Sequence, residues 1–243
     1  MDFALIGICY DRTQTLRKGA AVAPELLRAA FPKLETYISG VDLTESFIED
    51  LGDITAENAA DLFVQAGGRL SLTKKFPIIL GGEHTITTAA VKALKPATVV
   101  IFDAHPDCED SDGHTGILRR LIESGFKVII FGTRVVSKKE REFMKKYKIK
   151  PARLSDLKRI KGQAYLSIDF DILDPSILPA VGNPEPDGLK FKEVVAAIKT
   201  IAKKLVAVDF VEFTPISRDD ISQIIAGKLI YAALAEIVKA KKV

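Results

Sequence analysis

The stretch Ile101–Asp107 reads I-F-D-A-H-P-D and is preceded by Val100. Three apolar residues, Val100, Ile101 and Phe102, run straight into three side chains that can hold a cation: Asp103, His105 and Asp107. The apolar part has the pattern of a buried strand. In an extended chain residues two apart point to one side, so Asp103 and His105 share a face, and Asp107 joins them if the chain stays extended past Pro106. Two carboxylates and an imidazole at a strand end make a poor core and a good cation site. The competing reading is a helix-capping Asp103 beside a surface His105.

Two further stretches repeat the device. Ala164–Asp171 reads A-Y-L-S-I-D-F-D, followed by I-L-D-P, and places Asp169 and Asp171 two apart at the end of an apolar strand. Burying two like charges side by side is costly unless a cation sits between them. Phe76–His84 reads F-P-I-I-L-G-G-E-H: a strand, a Gly-Gly turn and a histidine at a helix start. In an open parallel sheet, sites form beyond the carboxyl ends of the strands, so these three ends can converge.

The converging set offers two imidazoles, His84 and His105, and four carboxylates, Asp103, Asp107, Asp169 and Asp171. Oxygen-rich donors with some imidazole suit hard divalent ions, manganese above all, better than zinc. Six ligands are many for one ion with an open position. They suit two Mn2+ ions sharing bridging carboxylates, roughly 3.5–4 Å apart, and four aspartates balance the charge of two divalent ions. Cys108, next to Asp107, is expected to be a bystander because the oxygen donors suffice.

Outward from these stretches, strands are expected at Phe3–Cys9, Glu35–Ser39, Phe76–Leu80, Thr98–Asp103 (the central one), Lys127–Phe131, Ala164–Ile168 and Leu205–Phe210. Phe47–Asp53 is ambiguous. Helices are expected at Glu25–Phe31 behind Pro24, at Ala56–Leu72 with Thr55 as cap, from a Thr85 or Thr87 cap to Leu94, from His114 or Thr115 to Ser124, at Ser137–Tyr147, at Lys192–Lys203 and at Ile221–Lys239. The basic run within Ser137–Tyr147 reads as a solvated face. Asp11–Val22 is a polar loop following a strand, able to reach the site rim. Asp169–Leu189 holds Pro175, Pro179, Pro184 and Pro186, and a loop of that length in a compact domain is usually functional. Strands alternating with helices predict an α/β fold with a mainly parallel sheet.

With 243 residues, 47% of them hydrophobic, the chain is expected to form one domain, 1–243, with a substantial core. A net charge of +3 is too small to argue for nucleic acid. No apolar run near the length needed to cross a bilayer is expected, and M-D-F-A-L-I-G-I reads as a first strand with no basic leader. Two cysteines, Cys9 and Cys108, do not make a disulfide framework and suit a reducing cytoplasm.

Together G-G-E-H, D-A-H-P-D and S-I-D-F-D-I-L-D-P resemble the three metal-binding signatures of the ureohydrolases, the arginase and agmatinase family. The resemblance runs along nearly the whole chain, through G-I-C-Y-D…R-K-G-A-A-V-A-P-E-L-L-R, L-G-D-I, F-G-T-R, P-E-P-D-G-L and V-E-F-T-P. It implies a three-layer α/β/α sandwich, two Mn2+ ions, and hydrolysis of a guanidino group to urea and an amine by a homo-oligomer, usually a trimer or hexamer. By resemblance Glu212 clamps the substrate, as a carboxylate accepting two parallel guanidinium hydrogen bonds. His114 resembles the family's non-ligand histidine, placed to shuttle a proton or bind substrate. The alternatives are a surface acid and a helix cap. All three histidines, His84, His105 and His114, occupy family positions.

Departures fall near the substrate end. A-V-G-N-P-E-P-D-G-L puts Asn183, a candidate substrate contact, and Asp187 where the family pattern differs; Thr85 stands where serine is usual, and the chain is shorter than most members. Between Asp107 and His114 lie Glu109, Asp110 and Asp112, which would repel a carboxylate and attract an ammonium at roughly 1 kcal/mol or more per close pair. The expected substrate is therefore a small cationic guanidine, agmatine or one with a longer polyamine tail. Arginine, a guanidino acid or formiminoglutamate is the alternative, which Arg12, Arg17 or Lys18 at the rim would favour. A metal-binding protein without turnover is the least favoured reading.

Overall fold

The computed structural model describes residues 1–217 and 219–242, without the side chain of Phe47. Alternating apolar residues build a seven-stranded sheet: β1 (Asp2–Cys9), β4 (Phe47–Thr55), β5 (Phe76–Gly81), β6 (Thr98–Phe102), β7 (Val128–Phe131), β8 (Ala164–Asp169) and β9 (Leu205–Val211). The sheet order is β4-β1-β5-β9-β8-β6-β7 and every pairing in it is parallel. A separate antiparallel hairpin pairs β2 (Tyr37–Ile38) with β3 (Val41–Asp42).

Side-chain alternation sorts the sheet's two faces into two cores. Phe3, Leu5, Ile78, Leu80, Val100, Phe102, Leu166, Ile168, Val208 and Phe210 pack against α1 (Ala23–Ala30), α7 (Phe191–Ile201) and α8 (Ile221–Lys241). Ile6, Ile8, Ile79, Val99, Ile101, Ile130 and Tyr165 pack against α2 (Ala59–Leu72), α3 (Thr85–Leu94), α4 (Ile117–Glu123) and α5 (Lys138–Lys146). A short α6 (Leu154–Leu157) completes the helices. This is the expected α/β/α sandwich.

Several expectations change. The central strand is β9, with β6 next to the edge strand β7. The ambiguous 47–53 segment is the other edge strand, whose Glu49, Asp50 and Asp53 are compatible with an exposed border. Only Tyr37–Ile38 of the expected 35–39 strand is extended. Asn58, not Thr55, caps α2 by accepting from the Asp61 N–H at 3.0 Å. Neither Thr85 nor Thr87 caps α3; His84 holds the N-cap position and both threonines bond acidic side chains instead. α8 is, by length and composition, apolar enough to cross a membrane, but 72% of its most apolar window is buried inside the protein, as a core helix requires.

The sheet's order positions the site. β5, β9, β8 and β6 are consecutive neighbours, so their carboxyl ends lie within roughly 15 Å of one another at the strand spacing of a sheet. Phe170, fully buried between Asp169 and Asp171, stacks on Phe210 at 6.0 Å and meets Phe213 edge-on at 5.9 Å. Phe170→Ala should destabilise the protein by about 3–5 kcal/mol through the cavity it leaves, measured by urea unfolding.

Candidate metal and substrate site

His84 enters from the β5 end. Gly82 in the preceding turn packs so closely that a Cβ there would lie 2.0 Å from the Tyr10 carbonyl oxygen. His84 Nδ1 lies 3.1 Å from Asp103 Oδ2, 3.3 Å from Asp107 Oδ2 and 3.5 Å from Asp169 Oδ2. His105 Nδ1 lies 2.8 Å from Asp171 Oδ2 and 3.6 Å from Asp103 Oδ1. Asp103 thus turns one oxygen to each histidine. The donor atoms of His84, Asp103 and Asp107 fall within 4.8 Å of one another, as do those of Asp103, His105 and Asp171. The six residues marked by their sequence meet in two groups that share Asp103, with Asp169 beside His84.

Asp107 reaches the cluster by a different route from the one expected. The strand stops at Phe102, and Asp107 turns inward with φ of 49°. A non-glycine residue in the left-handed region is costly and is held by its surroundings: Leu118 N–H donates to the Asp107 carbonyl at 2.8 Å and Cys108 N–H to Glu140 Oε1 at 3.3 Å.

These residues fit a pair of divalent cations. His84 Nδ1 and Asp103 Oδ2 are buried and have no hydrogen-bond partner, although they lie close together. That is the arrangement of two donors aimed at a common centre. Burial, then the neighbouring Asp103, pushes Asp107 up to about 7; burial, then Asp171 and Asp103, holds Asp169 well above the carboxylate range, and burial and Asp103 raise Asp171. Burial opposes ionisation of Asp103 as well, but the neighbouring His105 and His84 outweigh it and lower its pKa. For both histidines burial works against the charge and the surrounding carboxylates prevail, raising the pKa. The donor set of carboxylate oxygens and two imidazole nitrogens is that of a hard divalent ion.

Around the cluster, the 11–22 loop reaches the rim as expected. Thr13 gives its N–H and its hydroxyl proton to Glu83, both at 2.6 Å. Having spent that proton, Thr13 can only accept from His114 Nδ1 at 3.3 Å, which leaves His114 Nε2 as the basic nitrogen, 3.2 Å from the Thr15 hydroxyl. Burial lowers the His114 pKa. Glu212, left-handed at φ 65°, follows β9; its Oε1 accepts the His84 N–H at 2.8 Å and its Oε2 the Gln14 amide at 2.8 Å. Burial pushes Glu212 up to about 8.

His105, Asp107, Glu109, His114, Asp169, Asp171, Asn183 and Glu212 line a cleft of about 190 Å³, with Gln14, Thr15, Thr115, Glu140 and Gly182. Asn183 meets His105 Nε2 at 3.1 Å, alongside Glu185 Oε1 at 3.3 Å. Asp187 is exposed in a left-handed turn outside the cleft lining. Of the three loop acids, only Glu109 lines the cleft; Asp110 points outward to Arg119 at 3.4 Å, and Asp112 is exposed elsewhere. The Cys108 thiol approaches the Glu140 carbonyl at 3.7 Å and burial pushes it up to about 12, so it stays protonated.

Sequence reasoning missed Gln14, Glu83, Glu140, Arg134 and Glu185. Arg134, in the F-G-T-R motif, donates to the carbonyls of Asp171, Glu185 and Pro186, each at 2.8 Å, and so ties down the 169–189 loop. The basic run is solvated as expected, with Lys138, Lys139, Arg141, Lys145 and Lys146 exposed, but Glu140 within it is buried, closes a capping box with Ser137 and reaches Cys108. The S-x-x-E spacing of that box was its legible signal.

The arginase family model matches residues 1–235. The chain belongs to the arginase family. Among this family's members it is 34% identical to the N(1)-aminopropylagmatine ureohydrolase of Thermococcus kodakarensis, over 98% of this chain and 91% of that protein. It is 34% identical to the agmatinase of Pyrococcus horikoshii, over 95% and 90%. The agmatine ureohydrolase structure from Thermoplasma volcanium superposes with a TM-score of 0.88 at 32% identity, covering 99% of this chain and 91% of that one. As an arginase-family protein the chain is a ureohydrolase, an enzyme acting on linear guanidines, and its family depends on a binuclear metal centre.

The charge at this site dictates a pH response. A buried acid whose folded pKa is raised binds its proton more tightly folded than unfolded, so stability falls as pH rises between the two values. Asp107, Asp169, Asp171 and Glu212 all act in this sense above about pH 4, and the raised histidines add to it above about pH 6.5. Chelator-stripped protein should therefore melt at a lower temperature at pH 8 than at pH 5.5. Added Mn2+ should reverse that order, because the metal requires the deprotonated carboxylates. Thermal melts at both pH values check it.

Proposed function

We propose that this chain is a binuclear manganese hydrolase that splits agmatine to putrescine and urea, and accepts analogues extended by a polyamine tail. The carrying observation is the charge of the cleft. Beyond the metal ligands, whose charge the two cations would balance, its walls hold Glu109, Glu140 and Glu212, and among the described residues no lysine or arginine lines it. Such a cleft favours a substrate with a cation at each end and disfavours one ending in a carboxylate. Arg12, Arg17 and Lys18 lie outside the lining, which removes the support for a guanidino acid. The names of the Thermococcus and Pyrococcus relatives agree with the cationic reading.

In this reading His84, Asp103, Asp107 and Asp169 would hold one ion and Asp103, His105 and Asp171 the other. When bound, such a pair would supply Lewis acidity and a water ionised near neutral pH. Manganese follows from the predominance of carboxylate oxygen. Glu212 receives the guanidinium, its two oxygens already aimed by the His84 N–H and the Gln14 amide. The incoming cation favours the ionised form of this buried acid. His114 Nε2, the basic nitrogen, would take up the proton released as water adds to the guanidinium carbon and give it to the amine nitrogen as the carbon–nitrogen bond breaks. Asn183 orients His105 and borders the substrate. Glu109 faces the distal ammonium from the rim.

We place the enzyme in the cytoplasm as one domain, 1–243, in a homo-oligomer, a trimer or hexamer. The two free cysteines support the compartment. Exposed Val64, Leu72 and Tyr37 are apolar surface that an assembly would cover.

A urea assay on the manganese-loaded protein should show release from agmatine and little from arginine; a clear preference for arginine overturns the cationic reading. Glu109→Gln should raise KM for agmatine roughly fivefold, about 1 kcal/mol for a rim charge pair, with kcat nearly unchanged. Steady-state kinetics at fixed ionic strength measure this.

A further inference from the structure

We propose that Asp209 is a positioning residue that fixes the tautomer and orientation of His84, acting through Thr87 and Ser167, and so sets how tightly this side of the cluster holds a divalent cation. The proposal rests on the two-metal reading above but concerns residues that touch neither metal nor substrate.

Asp209, Tyr165, Thr87, Ser167 and His84 are all fully buried. Asp209 Oδ2 accepts the Tyr165 hydroxyl at 2.6 Å and the Thr87 hydroxyl at 2.7 Å. Thr87 lies 3.1 Å from Ser167 Oγ, and Ser167 lies 2.9 Å from His84 Nε2. Each hydroxyl has one proton to give. Thr87 spends its proton on the carboxylate, so it must accept from Ser167. Ser167 spends its proton on Thr87, so it must accept from His84. Nε2 therefore carries hydrogen, and Nδ1, which faces Asp103, Asp107 and Asp169, is the nitrogen left to meet a cation. The opposite tautomer would set a bare Nε2 against a serine with no proton left to donate.

Metal-binding histidines generally donate their second N–H to a carboxylate or carbonyl, which fixes the ring and raises its basicity. Here the carboxylate stands two hydroxyls away. Asp209 Oδ1 has no hydrogen-bond partner although it is buried. A half-satisfied buried carboxylate does not favour folding, so this group is better explained by what it does for His84 than by stability.

The test is Mn2+ affinity of the full chain by equilibrium dialysis, together with the melting temperature of the metal-free protein. Asp209→Asn and Thr87→Val should each weaken Mn2+ binding roughly 10–100-fold. Thr87→Ser, which keeps the hydroxyl, should bind as the wild type does, and metal-free Asp209→Asn should melt no lower than wild type. Wild-type affinity in both Asp209→Asn and Thr87→Val overturns the proposal, as does a Thr87→Ser variant as weak as Thr87→Val. Should the wild type itself take up no Mn2+, the two-metal reading falls and this proposal with it; variants that match a binding wild type overturn the relay alone.

Discussion

Four carboxylates crowded at the ends of adjacent parallel strands are the constraint on which the rest of this molecule depends. Asp103 divides its two oxygens between His84 and His105, and Asp107, Asp169 and Asp171 close around the same space. In a buried pocket such charges repel and seek protons. Divalent cations remove the repulsion without neutralising the ligands, and the carboxylates that cost most in their absence bind most strongly in their presence. A site of this kind is thereby tied to the stability of the protein that carries it.

The surrounding structure keeps these groups in place. Two ligand-side residues, Asp107 and Glu212, occupy left-handed backbone conformations, and each is restrained by hydrogen bonds from distant segments. Glu140 on α5 reaches the backbone beside Asp107. Arg134 secures the loop after β8 through three carbonyls. The loop after β1 supplies Thr13 and Gln14, which connect Glu83, His114 and Glu212. The chemistry is concentrated at four strand ends; its precision comes from loops packed over them.

What could be read from sequence was local. Apolar runs ending in acids two apart exposed Asp103, His105, Asp169 and Asp171, because strand periodicity and ligand chemistry coincide there. Groups that act through long-range pairing had weaker signals. Gln14 lies in an ordinary polar loop and meets Glu212 only through a contact across 198 positions. Glu140 was hidden in a lysine-rich run whose composition indicates solvent. Charge counting alone treated Glu109, Asp110 and Asp112 alike, whereas the backbone turns only the first into the cleft. The edge strand 47–55 was ambiguous because acids interrupt its apolar pattern where the border faces water.

Anomalous diffraction at the manganese absorption edge, from crystals grown with Mn2+, addresses the central claim most directly. The account predicts two peaks roughly 3.5–4 Å apart, one bounded by His84 and Asp107, the other by His105 and Asp171, with Asp103 between them. A single peak, or peaks away from Asp103, would contradict it.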